Sequence, residues 1–175
     1  MTMQVAGLLS LDFFSALILV LIFLSSRYNF DYRSSQQRVF YMMLAISAVN
    51  LVAEMTTKLN NQGYIDGVLV QGIVILFLTY PVLAYFWLRY LSQQIFSSGK
   101  TPGWWQQVLI VVVILDIAGI LASVSTGWFF RFVDGTYQRG PYYYVASFLG
   151  LANIVIIEAM LITYRKQIEK QYFNS

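Results

Sequence analysis

Neither cysteine nor histidine occurs in this chain. Their absence excludes disulfides, thiol nucleophiles and imidazole acid–base pairs, and with them most transition-metal sites. Charge is also scarce. Asp, Glu, Lys and Arg make up 11% of the 175 residues, where a soluble globular domain carries roughly a quarter. No internal repeat is visible, so an inverted-repeat transporter has no support. No low-complexity segment is present. The first apolar run has no basic residue before it and no small-residue cleavage site, so it reads as a retained span rather than a signal peptide.

What the chain has in abundance is apolar surface: 58% of its residues are hydrophobic and the mean hydropathy is +0.63. That composition is of a membrane protein, and the length suits one compact unit of several spans. The net charge is +3. In a soluble protein a basic balance suggests nucleic acid. Here the cations fall between apolar runs, so they report orientation, and no nucleic-acid partner is expected.

Five runs are long enough to cross about 30 Å of hydrocarbon as helices. They cover Val5–Ser25, Val39–Thr57, Gly67–Ile95, Trp105–Ser125 and Tyr143–Tyr164. Arg27, Arg33 and Arg38 follow the first; Arg89 and Lys100 close the third; Arg165, Lys166 and Lys170 follow the fifth. The opposite side carries Lys58, Arg131 and Arg139. The positive-inside rule therefore puts the N-terminus outside and the C-terminus in the cytoplasm. Trp87, Trp104, Trp105 and Trp128 sit near span ends, as an aromatic belt requires. Residues 1–164 form the membrane domain, and 165–175 form a cytoplasmic tail or the start of a linker helix.

Four acids interrupt the apolar runs: Asp12, Glu54, Asp116 and Glu158. A carboxylate at membrane depth is costly and faces a bundle interior or water. Asn50 and Glu54 lie one turn apart, so with Asp12 they form a candidate polar patch opening outward. Asp116 is level with Asn153. Each of these groups has a plainer reading as a polar contact between helices, and Glu158 either reaches the inner interface or pairs with Arg89. Separate helices and different depths do not suit a metal site. Pro81 interrupts the third span, as a fixed kink or a hinge. Gly72, Gly119 and Gly150 permit close helix approach.

The connection Gly127–Tyr144, "GWFFRFVDGTYQRGPYYY", contains eight aromatic residues. Asp134-Gly135 predicts a two-residue type I′ turn. The resulting hairpin pairs Phe130 with Arg139, Arg131 with Gln138, Phe132 with Tyr137 and Val133 with Thr136. Alternation puts Phe130, Phe132, Tyr137 and Arg139 on one face, and Phe129, Arg131, Val133, Thr136 and Gln138 on the other. The first face suits a cap on the helix bundle, with Arg139 reaching Glu54 or Asp12. The hairpin is then either a surface anchor or a lid over an outward pocket for a small organic anion or an amphipathic molecule. The expected fold is an all-α transmembrane five-helix bundle, N-out and C-in, with an extracellular aromatic β-hairpin between helices 4 and 5.

"STGWFFRFVDGTYQRGPYYY" resembles the loop of multi-span N-terminal sensor regions in Gram-positive bacterial signalling proteins, many of which carry a cytoplasmic GGDEF (diguanylate cyclase) domain. The loop runs approximately T-G-W-[IF]-F-x-[IF]-D-x-x-x-x-Y-x-R-G-P-x-Y-Y. Thr126, Gly127, Trp128, Phe130, Phe132, Tyr137, Arg139, Gly140, Pro141, Tyr143 and Tyr144 match it. The acid comes one place later, at Asp134. "QQRVFYMMLAISAVNLVAEM" and "LTYPVLAYFWLRYL" are similar to the second and third spans of that family. The resemblance implies a sensory domain of the bacterial cell membrane. It would bind an unknown small ligand, form a homodimer and pass a conformational signal to a cytoplasmic output domain or protein of the cyclic di-GMP type. No GGDEF sequence is present, so the chain is not itself expected to be an enzyme, and no cofactor is implied. The chain is then the input region of a longer receptor or a free-standing sensor. The expected ligand-binding residues are Arg139, Glu54, Arg131, Tyr137, Trp128, Phe130 and Asp12. The alternative is a small transporter or channel using Asp12, Asp116 and Glu158.

Overall fold

The computed structural model describes residues 3–27, 34–61, 67–96, 103–133 and 136–166. Five helices form along them: α1 (Met3–Arg27), α2 (Ser35–Asn61), α3 (Leu69–Ile95), α4 (Gly103–Thr126) and α5 (Tyr143–Thr163). The shortest, α5, has 21 residues, which at 1.5 Å per residue is about 31 Å. All five are therefore long and apolar enough to cross a bilayer, as the hydropathy pattern predicts. The second reaches further at both ends than its apolar run, because polar residues at a membrane surface continue a helix without penalty. In α4 the β-branched run "VLIVVVIL" stays helical. A helix bonds its own backbone where no water can, and that outweighs strand propensity.

Consecutive helices pack against each other, α3 also meets α5, and α1 rests on α2. Consecutive helices run antiparallel, and α3 and α5 run parallel. Asp12 near the start of α1 meets Lys58 near the end of α2, while Ser26 near the end of α1 donates to Tyr41 near the start of α2. At the α2–α3 crossing a Cβ on Gly72 would stand 2.6 Å from Thr57 Oγ1. Large apolar side chains such as Phe13, Leu21, Ile114, Phe148, Ile154 and Ile162 point outward. A water-facing surface rarely carries so continuous an apolar cover, whereas lipid suits it.

The core falls into two clusters. One joins Leu69 and Ile73 of α3, Ile120 of α4 and Ala146 of α5 to Phe129 and Phe130. The other joins Leu88 and Ile95 of α3, Leu109 and Val113 of α4, and Ile157 and Met160 of α5. Between them each helix turns a polar or irregular position inward. These are Thr79 and Pro81 on α3, Asp116 on α4 and Asn153 on α5, all buried. Pro81 lies within one continuous α3.

β1 (Phe130–Val133) and β2 (Thr136–Arg139) form the hairpin between α4 and α5. The register is Phe130↔Arg139, Arg131↔Gln138, Phe132↔Tyr137 and Val133↔Thr136, as the sequence predicts. The turn at 134–135, the loop cations Arg33 and Lys100, and the tail from residue 167 lie outside the described residues.

Candidate functional site

The hairpin is seated on the bundle by a serine that the sequence reading did not single out. Ser123, 1% exposed in the last turns of α4, accepts from the backbone N–H groups of Phe129 (2.9 Å) and Phe130 (3.0 Å) and donates to the Phe130 carbonyl (3.1 Å). One proton and two lone pairs are all that a hydroxyl has, and each is used. Gly127 ends α4: its φ is +70° and its N–H reaches the Ser123 carbonyl at 2.8 Å. This left-handed ending is a common helix stop. The hairpin ladder then continues past the strands, with Gly140 N–H on the Phe129 carbonyl (2.9 Å) and Tyr142 N–H on the Trp128 carbonyl (2.8 Å).

The aromatic residues divide between two environments. Phe130 is fully buried and stacks on Phe77 of α3 at 5.2 Å and 26°. Phe132 meets Phe130 edge-on at 5.9 Å, and Tyr137 packs against the same cluster. Trp128, Tyr142 and Tyr144 are exposed, with Trp128 edge-on to Tyr142 at 6.2 Å. The inner set joins hairpin to helices, and the outer set has the amphipathic character of an interface belt.

Alternation misplaces Phe129. It is 5% exposed, not turned out with Arg131. Strand geometry begins only at Phe130, and Ser123 holds the preceding backbone, so Phe129 turns onto α4. A Cβ at Gly119 would stand 2.6 Å from Cζ of its ring, so only glycine leaves it room.

The charged residues are also placed differently from expectation. Arg139 is exposed and lies over the Tyr143 ring, 4.6 Å from its centroid, rather than on Glu54 or Asp12. Glu54 instead binds Lys58 at 2.8 Å, and Lys58 also grips Asp12 at 2.7 and 3.0 Å. Lys58 is one turn from Glu54 on the same helix face, whereas Arg139 would have to reach across the bundle. Asp12 is 4% exposed, so this contact ties α1 to α2. Asn50 leaves the expected patch and meets Thr79 of α3, with 2.6 Å between Oδ1 and Oγ1. Arg131 is exposed on the outer hairpin face. Glu158 is exposed, and Arg89 donates to Tyr85 at 3.3 Å.

At mid-bundle, Asp116 is 5% exposed and has no hydrogen-bond or ion-pair partner among the described residues. Asn153 is 3% exposed, and its Oδ1 has no donor among the described residues. Beside Asn153 a groove of about 490 Å³ runs between α2, α3 and α5.

Tyr137 has a pH signature. Burial raises the pKa of its phenol above the ordinary 10.0; Tyr143 adds to the rise and Arg139 offsets part of it. The folded state therefore holds this proton longer than the unfolded chain does, and stability falls as pH rises above about 10. Tyr137→Phe is expected to remove that part of the alkaline loss in an unfolding titration followed by phenolate absorbance. An unchanged profile would show that the phenol is not held by the bundle.

Compared with protein-family models, curated proteins and solved structures, the chain finds no match.

Proposed function

We propose that this chain is the membrane-embedded input domain of a bacterial signalling protein, with its N-terminus and hairpin outside and its C-terminus in the cytoplasm. Arg27, Arg38, Arg89, Arg165 and Lys166 gather at the end of the bundle away from the hairpin, which supports that orientation. A ligand or a membrane change at the hairpin end biases the seat of the hairpin, and α3 and α5 carry the change to a cytoplasmic output of the cyclic di-GMP type, acting as a homodimer. Arg139, Arg131 and Trp128 are the exposed groups that would meet the stimulus. Tyr137 and Phe130 transmit it, and Asp12 with Glu54 braces α1 through Lys58.

The observation that carries this reading is the stack of buried Phe130 on Phe77. Phe77 lies four residues before Pro81, which has no N–H to bond the Phe77 carbonyl. The hairpin is thus anchored where α3 is most easily deformed. The transporter reading strings Asp12, Asp116 and Glu158 into a path, but Asp12 is held by Lys58, Asp116 is buried and Glu158 is exposed.

The chain has no native cysteine, so spin labels at Arg89→Cys and Lys166→Cys report cleanly on the cytoplasmic ends of α3 and α5. In nanodiscs, Phe130→Leu is expected to shift the distance distribution between them. A distribution identical to wild type, or solute flux in proteoliposomes, would overturn the coupling reading.

A further inference from the structure

A crease of about 400 Å³ runs between α1 and α2. Val20 and Phe23 wall it on α1, and Tyr41 and Leu44 on α2. Ala45 and Ala48 of α2 keep it open, because each sends only a methyl group into the space. Val20 and Phe23 are 52% and 45% exposed, so the crease opens sideways, where lipid covers the bundle. One end is closed by contact between the helices. There 3.0 Å separates the hydroxyl oxygens of Ser26 and Tyr41, and Phe23 meets Tyr41 edge-on at 5.7 Å.

Two cations stand at that closed end. Arg27 lies four residues after Phe23, and Arg38 lies three before Tyr41. Residues so spaced share a helix face. Because α1 and α2 are antiparallel, both steps lead out of the crease in the same direction, so one arginine flanks its end from each helix. Both are exposed, and neither has an ion-pair partner among the described residues. The acids of these two helices, Asp12 and Glu54, stand at the opposite end and hold Lys58. The site therefore offers an apolar crease that ends in two positive charges without a counter-ion. A free anion would leave the crease unfilled, and an uncharged lipid would leave the arginines unpaired. A zwitterionic headgroup would bring a cation of its own. Guanidinium groups match phosphate in charge and in the geometry of paired hydrogen bonds.

We infer that this crease holds one anionic glycerophospholipid, with an acyl chain along Val20, Phe23 and Ala45 and the phosphate between Arg27 and Arg38. The lipid would brace α1 on α2 at this end, as Lys58 braces it at the other. Neither the signalling reading nor the orientation of the chain enters the argument, so each fails separately.

The probe is phosphatidylglycerol with a diazirine in one acyl chain, compared with phosphatidylcholine carrying the same chain. Each is added at trace level to the full chain in nanodiscs of unlabelled phosphatidylcholine at low salt. After photolysis the labelled residues are mapped by mass spectrometry. Phosphatidylglycerol is expected to label Val20, Phe23 and Ala45 about thirtyfold more than phosphatidylcholine, the return of two arginines near the headgroups. Replacing both, Arg27→Gln with Arg38→Gln, is expected to erase that preference. Arg89→Gln removes a cation at the same end of the bundle on α3, and is expected to preserve it. Ala45→Leu fills the crease from the exposed side of α2, and is expected to cut labelling by either lipid about tenfold. Equal labelling by the two lipids in the wild-type chain overturns the proposal. So does a loss in Arg89→Gln as large as in the double variant, which would mean attraction to the whole rim rather than to the crease. Should Ala45→Leu melt early, the arginine variants, which leave the crease wall untouched, decide alone.

Discussion

Replacing Gly140 by alanine is expected to unseat the hairpin while leaving the five helices in place. The new Cβ would land inside the van der Waals surface of two backbone oxygens, those of Trp128 and Gly127. Neither oxygen can withdraw cheaply. The Trp128 carbonyl already accepts from Tyr142 N–H, and Gly127 is fixed at positive φ as the stop of α4. A flexible side chain in the same place would rotate away, but backbone on both sides forces the strands apart. Overpacking of this kind costs about 3 kcal/mol, enough to detach an element that is not stable alone. Arg131 and Arg139 supply the measurement, since both are trypsin sites within the hairpin. Cleavage there should be slow in the wild-type chain in nanodiscs and fast in Gly140→Ala. Gly103→Ala is the control: its Cβ would meet nothing within 4 Å. Equal cleavage of wild type and Gly140→Ala would show that the strand ends are not closed as described.

The five helices and the hairpin register were legible in the sequence because each depends on a local rule. Span length follows from bilayer thickness, and a two-residue D-G connection leaves one pairing for the strands. Asp12 and Glu54 were also rightly grouped, but through the wrong partner. A lid-like hairpin makes Arg139 the conspicuous cation, while Lys58 sits one turn from Glu54 on the same helix. Ser123 was not legible. A serine near the end of an apolar helix normally bonds back to its own carbonyls, as Thr126 does to Ala122. Only the return of the chain after Gly127 brings Phe129 and Phe130 over it. Phe129 is hidden for the same reason, since strand alternation does not hold one residue before β1 begins. The two clusters with a polar layer between them are a tertiary fact. Asp116 and Asn153 are already level by their depth in the spans; Thr79 joins them only once α3 packs antiparallel to α4 and parallel to α5.

That layering also changes what the aromatic connection is for. Its inner rings complete the apolar cluster of Leu69, Ile73 and Ile120. Leu69, Ile73 and Ile120 would otherwise end against the bilayer surface without a cover. On the sensor reading proposed above, a stimulus at this end would act by altering the fit of rings already in place, of which Phe130 is the most buried.

Truncation of Phe130 is accordingly expected to be the most damaging single change among the hairpin side chains. The ring is 0% exposed, stacks on Phe77 and touches Phe132 edge-on, so Phe130→Ala removes burial and both ring contacts and leaves a cavity. Such truncations cost about 3–5 kcal/mol. Phe130→Leu keeps much of the volume and loses the ring pairing, for which about 0.5–1.5 kcal/mol is typical. Phe132 is only half-buried, and its truncation should fall well below that of Phe130. Ser123→Ala separates backbone anchoring from ring packing. It leaves the N–H groups of Phe129 and Phe130 unpaired in a buried place while sparing every ring contact. Thermal unfolding in nanodiscs should therefore rank Phe130→Ala below Phe130→Leu and Phe132→Ala. Equal loss from Phe130→Ala and Phe132→Ala would mean that the hairpin is held by its overall apolar area, with no privileged seat on Phe77. In that case the link from hairpin to the Pro81 region of α3 would lose its physical basis.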